Sequence, residues 1–388
     1  MRAKTLLVLG ASLYQEAAIV RARSLGYRVL SADNVPDNPG HASAERSFNV
    51  DITDRDGILA LARRERIDGI LAPCTDVGVP TQAYVAEKLG LPGPPLAAAE
   101  TAANKIRFRE FQRAMGEPYP DFFLDREWRP GTWVIKPEAS SGSKGIFIVR
   151  SADELRARLP EALAFSTSGR AIVERRIVGH QGTCEGILRD GRIATVWLLD
   201  RQTAAPPHVA THGHYVPTSL DARVEAAVLE RIESVWAKLG VREGLFDCDF
   251  VVGPDAVYVL ELAPRLGGNS IAGLLAFAAD FDALEYIIRF ACADAPAPPP
   301  QRAPKVAAIV LLGVDKAGRL RYDESEAARL CAEPWVARLA IDLPAGAPVE
   351  PFINGRHRVG EAMVAAADRP TLERCVAELK ARLAMRAA

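Results

Sequence analysis

The chain lacks most of the signals that settle a function quickly. Its six cysteines stand at 74, 184, 248, 292, 331 and 375, and none form a C-x-x-C pair. Zinc knuckles and thioredoxin-type redox motifs are thereby excluded. In 388 residues such scattered thiols read as reduced and mostly buried. No run of about 18 uninterrupted apolar residues occurs, so no membrane span is expected. The N-terminal run Thr5-Leu-Leu-Val-Leu is too short for a signal-peptide core and ends at Gly10. A cytoplasmic location is the default expectation. An excess of one charge is also missing: Lys+Arg is 48 and Asp+Glu is 49, a net charge of −1. That balance removes the electrostatic footprint of a dedicated nucleic-acid binder. No internal repeat is found. Lysine is scarce, 9 residues beside 39 arginines, and three of the nine stand at 105, 136 and 144. Where arginine is the habitual cation, a lysine suggests a need for a compact point charge.

What is present is an ordinary globular composition, 49% apolar and 25% charged. The length suggests two or three domains at ~150 residues each. Residues 1–95 alternate strand and helix. Thr5–Leu9 is a continuous apolar run, as a buried parallel strand requires. Strands follow at Tyr27–Ala32 and Asp68–Pro73, with helices at Gln15–Leu25 and Ile58–Arg66. Thr75-Asp76 reads as the cap of a further helix reaching Leu89. The alternation predicts a parallel sheet covered by helices on both faces. Gly10-Ala-Ser-Leu-Tyr-Gln lacks the second and third glycines of G-x-G-x-x-G, so a plain turn is favoured over a dinucleotide site.

From residue 96 the pattern becomes α+β. A helix is expected over Ala98–Met115, then strands around Trp133–Pro137 and Ile146–Val149. Ala171–Glu174 and a pair turned at Asp190-Gly191 follow, then a long helix over Arg223–Leu239. A hairpin turns at Gly253-Pro-Asp255. Ala293–Pro300 is proline-rich and reads as a linker or edge segment. Strands near Val306–Leu312 and Val359–Ala365 and a helix over Thr371–Leu383 close the chain.

Three features carry chemistry. Ser140-Ser-Gly-Ser-Lys-Gly145 is a loop rich in hydroxyl and backbone N–H donors, able to wrap phosphates or to serve as an ordinary hairpin turn. It is not a Walker A motif. Lys136 stands four residues upstream inside Val-Ile-Lys-Pro, where a buried ammonium needs an anionic partner that a phosphate could supply. Asp249 and Glu261 lie on the two strands of the Gly253 hairpin. If the turn falls near Pro254, they meet as neighbours and repel unless a cation separates them, as magnesium would. They also read as solvated edge residues. Arg265, before Gly267-Gly268, is placed to hold an anion or to sit on the surface.

In order and spacing, Lys105, Val-Ile-Lys136-Pro with its loop, Val173-Glu174-Arg-Arg-Ile177-Val-Gly179, Asp249 and Leu260-Glu261-Leu-Ala-Pro-Arg265 resemble the ATP-grasp superfamily. Residues 1–95 resemble its pre-ATP-grasp domain. Within the superfamily the similarity is to carboxylate–amine ligases of the L-amino-acid-ligase type, supported by Thr211-His-Gly-His214-Tyr-Val-Pro217 and Gly267-Gly268. The resemblance implies an α/β and α+β multidomain chain with the ATP-grasp fold. Its domains would be a Rossmann-like domain at 1–95, the ATP-grasp domain at 96–300 with a lid at about 125–200, and an α/β subdomain at 301–388 completing the core.

The same resemblance implies roles. Lys105 and Lys136 would contact ATP phosphates, and the loop with Ser141, Ser143 and Gly145 would cover them. Glu174 and the Ile177 backbone would read adenine. Asp249 and Glu261 would hold Mg2+. Arg265, helped by the Gly267 and Gly268 amides, would stabilise an acyl phosphate and a tetrahedral intermediate. Three positions depart from the pattern. Gln181 stands where an acid usually binds ribose, with Glu185 close by. Ala263 replaces an Asn of the metal site, and Thr211 replaces an acid before the Gly-His pair. Of His208, His212 and His214, grouped on a loop, His214 is the expected functional one. The implied partners are a small-molecule carboxylate and an amine, with no nucleic acid and no membrane, and a homodimer as the candidate assembly. The rival readings are a biotin-carboxylase-like or purine-pathway-like enzyme using bicarbonate or another small acid, and a nucleotide-binding protein without catalysis.

Overall fold

The structure is a computed structural model that describes residues 2–124, 126–140, 142–294 and 296–388. Among these residues four sheets form. The first holds β1 (Thr5–Leu9), β2 (Arg28–Ala32), β3 (Arg46–Phe48) and β4 (Gly69–Leu71), all parallel, in the order β3-β2-β1-β4. Every residue of β1 is buried because helices cover both faces, which is why the strand reads as an unbroken apolar run. The helix after β1, Leu13–Ser24, opens with a capping box between Ser12 and Gln15. The Gln15 side chain folds over Gly10 and donates to Pro73 O, so this turn is filled by the protein itself.

The second sheet holds β5 (Phe122–Phe123), β6 (Trp133–Pro137), β7 (Phe147–Val149) and β8 (Ala171–Arg175), antiparallel, in the order β5-β8-β6-β7. Its own small core joins Phe123, Trp133, Ile135, Phe147 and Val173 to Leu155 of the helix Ala152–Ala164.

The central sheet begins with β9 (His180–Arg189), β10 (Arg192–Thr203), β11 (Thr211–Val216), β12 (Gly244–Val252), β13 (Val257–Ala263) and β14 (Ala307–Leu312). Beyond β15 (Gly318–Arg321) come β16 (Val336–Ile341), β17 (Pro348–Val349), β18 (Gly360–Ala365) and β19 (Arg386–Ala387). The order in the central sheet is β13-β12-β9-β10-β11-β14-β18-β16, so strands from the last ninety residues complete it, and β17-β15-β19 form a small sheet. One face packs on the helix Ala222–Leu239 through Trp236, Ile232 and Val228. The other face packs on helices Ile271–Ala279 and Ala283–Ala291. That second core also takes in Leu6, Val8 and Ile19, so the first sheet and the central sheet share one hydrophobic body.

Four local expectations are corrected. The helix expected over Ala98–Met115 is two helices, Leu96–Ala102 and Lys105–Ala114. Asn104 caps the second by accepting from the Arg107 N–H. Lys105 therefore sits in a first helical turn. Thr75-Asp76 caps nothing: the next helix starts at Val79 behind Gly78. Thr211–Val216 is a strand, not a loop. The small second sheet closes at Arg175, and β9 and β10, placed in the lid by sequence, run in the central sheet.

Candidate active site

A cleft lies between the second sheet and the central sheet, lined by Lys136, Ile148 and Glu174 on one side and by Arg201, Asp249 and Glu261 on the other. Its metal-side floor is the β12–β13 hairpin. Asp249 pairs directly with Glu261 in the register, and Thr183 of β9 flanks Asp249 on the other side. Directly paired residues share a face, so the carboxylates are neighbours, as the turn position required. Thr183 Oγ1 donates to Asp249 Oδ1 at 2.6 Å, and Arg201 Nη1 lies 2.8 Å from Asp249 Oδ2. Lys105 Nζ lies 3.3 Å from Glu261 Oε1. Burial pushes the Glu261 carboxyl up, but Lys105, Lys136 and Arg201 outweigh it and hold it at about 2. Two neighbouring carboxylates lining the cleft fit Mg2+, which takes a few carboxylates alongside phosphate oxygens and water.

Lys136 is buried on β6, and its anionic partner within the protein is Glu174, 2.7 Å away. Glu174 is itself buried and also pairs with fully buried Arg109 at 2.9 Å. Burial opposes ionisation of Glu174, yet Arg109 first and Lys136 second hold its pKa below the ordinary range. The Glu174 carboxylate thus anchors Lys136 under the cleft. Ile177 and Gln181 also line the cleft. Glu185 does not, being fully buried elsewhere.

Ser143 and Lys144 of the loop line the cleft, while Gly145 turns at φ +70° behind them. A Cβ at Gly145 would meet Pro137 Cγ at 2.9 Å and Phe165 Cδ2 at 3.0 Å, so this position needs glycine. Ser141 lies outside the described residues. Burial and then Arg356 push the Lys144 ammonium pKa down, with Asp76 opposing. The loop rests on the C-terminal part of the chain: Gly355 N–H donates to Gly142 O at 3.1 Å. Tyr14 Oη in turn donates to Gly355 O at 2.9 Å.

The histidines part company. His208 lines the cleft with its ring 6.4 Å from Phe147, edge-on. His212 stacks on Phe352 at 4.7 Å. His214 pairs in register with Arg201 on β11 but is buried and does not line the cleft. Burial and then Arg201 push its pKa down to about 3, so the ring is neutral at physiological pH. Its ¹H–¹³C NMR ring shift is therefore expected to stay constant from pH 8 to pH 5. A titration step there would contradict the neutral assignment. By linkage, stability from this neutral ring is present above the unfolded value of 6.5 and is lost as pH falls toward 3.

Arg265 follows β13 and does not line this cleft; with Pro264 and Leu266 it lines a second, smaller cavity. Its Nε donates to Asp76 Oδ1 at 2.9 Å, and Nη2 makes a second, shorter contact to the same oxygen. Nη1 donates to Asp247 Oδ2 at 3.2 Å and to Leu266 O at 2.8 Å. Four of its roughly five N–H donors are engaged, which leaves one donor for an anion. The two glycine amides expected beside it are not equivalent. Gly267 N–H is taken by Glu185 Oε1 at 2.8 Å, whereas a Cβ on Gly268 would face open space. Burial and then the Asp247 charge raise the Glu185 pKa, while burial, opposed by Arg265 and joined by Asp249 and Asp76, raises that of Asp247 to about 7.

Sequence reasoning missed Arg201, Asp247 and Asp76. The first two were findable: Asp247 precedes Asp249 by two residues, which on a strand means the same face. Asp76 had no such signal, since its partner is 189 residues away.

The cleft thus lies between a small antiparallel sheet and a large one, with buried lysines on one wall and paired acids on the other. Residues 130–273 match the family model of the ATP-grasp domain. Among curated relatives, the chain is 28% identical over 360 residues to formate-dependent phosphoribosylglycinamide formyltransferase of Burkholderia pseudomallei (strain 668), with 81% of each chain covered. Among solved structures it resembles L-amino acid ligase from Bacillus licheniformis, with a TM-score of 0.83 at 19% identity, covering 100% of this chain and 98% of that one. It also resembles phosphoribosylglycinamide synthetase from Anaerococcus prevotii, with a TM-score of 0.78 at 17% identity and 100% of both chains covered. These two likenesses are of fold.

Proposed function

We propose that the protein is an ATP-dependent ligase that joins a carboxylate to an amine through an acyl phosphate, releasing ADP and phosphate. The observation that carries this reading is the continuous row on the central sheet. The Asp249–Glu261 pair with Lys105 and Arg201 faces the Ser140–Gly145 loop, and Arg265 stands one step further along. A carboxylate is a poor electrophile, because its charge repels nucleophiles and its oxygen leaves badly. Phosphorylation by ATP removes both obstacles. Lys105 and Lys136 neutralise phosphate charge, and transfer depends mostly on such positioning. Asp249 and Glu261 would hold Mg2+, which supplies further charge neutralisation at the phosphates. Arg265 and the Gly268 amide meet the oxyanion formed when the amine attacks. The loop excludes water, which would otherwise hydrolyse the acyl phosphate.

The test is phosphate release from ATP over a panel of acid–amine pairs, followed by mass detection of the coupled product. Phosphate release without any coupled product would refute ligation. The formyltransferase relative favours one specific second reading, with formate as the acid and a phosphoribosylated amine as acceptor. Including formate in the panel decides it. Glu261→Gln is expected to raise the magnesium concentration for half-maximal turnover, because a neutral amide binds a hard cation more weakly. An unchanged magnesium dependence would make the carboxylate structural. No helix among the described residues is long and apolar enough to cross a membrane. With its six unpaired cysteines, the protein is assigned to the cytoplasm.

A further inference from the structure

We infer that Ser270 and Glu361 are positioning residues for amide formation: together they hold the turn that aims the Gly268 N–H. The role given to that N–H rests on the ligase reading above; the anchoring of the turn does not. Ile271 N–H donates to Gly268 O at 3.2 Å, which closes a turn over Asn269 and Ser270. Both central residues have positive φ, 54° and 59°, as a type I′ turn demands. Asparagine tolerates that backbone, but at the second central position glycine is the residue that adopts it without steric cost. Serine stands there instead, and its hydroxyl has a defined partner. Ser270 Oγ donates to Glu361 Oε2, 91 residues away on β18.

Glu361 is a firm anchor. It is buried, with Arg358 Nη1 2.8 Å from its Oε2 and Arg338 Nη1 3.3 Å from its Oε1. Arg358 is held in turn by Asp342 at 3.0 Å and lies over the Tyr14 ring, 5.5 Å from its centroid. The helix Ile271–Ala279 begins straight after Ser270 without a side-chain cap, so the Ser270 hydroxyl is not spent on the helix end. Its carboxylate partner on β18 ties the turn to the last strand pair of the central sheet.

The other end of the turn is held as well. Gly267 N–H is taken by Glu185, and Gly267 O accepts from Cys74 Sγ at 3.1 Å. A peptide group is planar, so fixing Gly267 O also fixes the Gly268 N–H, which points the opposite way in the same plane. That N–H donates to no group among the described residues. Clamped before and behind and free itself, it is a preorganised donor, as a developing oxyanion requires. Slack at Ser270 would leave the fold intact and let this donor swing.

Ser270→Gly in the full chain is the test, because glycine accepts the backbone of the turn and only the hydroxyl is lost. Its melting temperature should stay near the wild-type value, while deuterium exchange of the 266–271 backbone becomes faster. Amide formation on the best acid–amine pair of the panel should fall roughly tenfold to a hundredfold, the scale of loss when a catalytic group drifts by up to about 1 Å. Hydroxylamine at high concentration intercepts an acyl phosphate without help from the enzyme. Hydroxamate formation therefore reports the earlier phosphoryl transfer alone and should stay near wild type. Ser270→Asn tolerates the left-handed backbone and can donate to the same carboxylate, so it should recover most of the loss. Unchanged amide formation or unchanged exchange in Ser270→Gly, or amide and hydroxamate falling together, overturns the assignment. If no acid of the panel yields a hydroxamate in the wild type, the ligase reading falls, and the exchange measurement alone decides whether Ser270 and Glu361 hold the turn.

Discussion

Arg265→Ala is expected to lower amide formation by a factor of about 100 or more while ATP binding, measured by calorimetry, stays near the wild-type value. The separation follows from position. Arg265 does not line the cleft, and its guanidinium is held between Asp76 and Asp247, one strand step from the Asp249–Glu261 pair. Its contribution therefore falls on the acyl phosphate and the tetrahedral species rather than on bound ATP. Lysine should rescue little. It keeps the charge but cannot span two carboxylates and still offer a donor, as the fork does. Because Arg265 is a mostly buried partner of Asp76 and Asp247, the melting temperature of the variant is measured alongside. A variant that turns over within a fewfold of wild type would remove the central residue from the mechanism.

The second large effect is on stability. Glu174→Ala leaves Arg109 and Lys136 buried and facing each other without an anion. Breaking a buried pair from one side typically costs about 3–5 kcal/mol. The melting temperature of the nucleotide-free protein should fall accordingly. ATP should restore part of the loss, since its phosphates offer Lys136 a replacement partner. Glu174→Gln tests the charge separately from the packing and should fall between alanine and wild type. The pH dependence has a definite sign. The folded pKa of Glu174 is depressed, so its stabilisation is present above the ordinary value of 4.5 and is lost as pH falls below it. A melting temperature unchanged by Glu174→Ala would mean that the triad contributes nothing net.

Where the fold was legible, the reason was local. β1 shows itself by an apolar run that only a strand covered on both faces can use. The β12–β13 hairpin announces its turn, and period-two alternation then places Asp249 beside Glu261. Where reading failed, the deciding contact was remote or unusual. Asn104 looks like one more helical residue until the chain needs a cap there. The strand Thr211–Val216 is disguised by Gly213, whose hydrogen lets Ile309 O approach so closely that a Cβ would stand 2.4 Å away. Among the histidines, spacing favoured His214, yet the strand buries that ring and the preceding turn delivers His208 to the cleft. The acids around Arg265 come from strands β9 and β12 and from the turn after β4. No local pattern could assemble them.

The link between the phosphate loop and the C-terminal turn runs from one peptide group to another, Gly355 N–H to Gly142 O. Such a tie uses no side-chain donor or acceptor, although Gly142 turns at φ +70°, a conformation that favours glycine. Divergence can alter the loop's chemistry, and so the ligand it covers, without untying the closed arrangement. The vulnerable change is of another kind: proline at 355 would erase the donor itself. Tyr14, donating to the carbonyl of the same residue, ties the first helix of the chain to this joint. The loop, the C-terminal turn and the first helix thus meet at a single residue, Gly355.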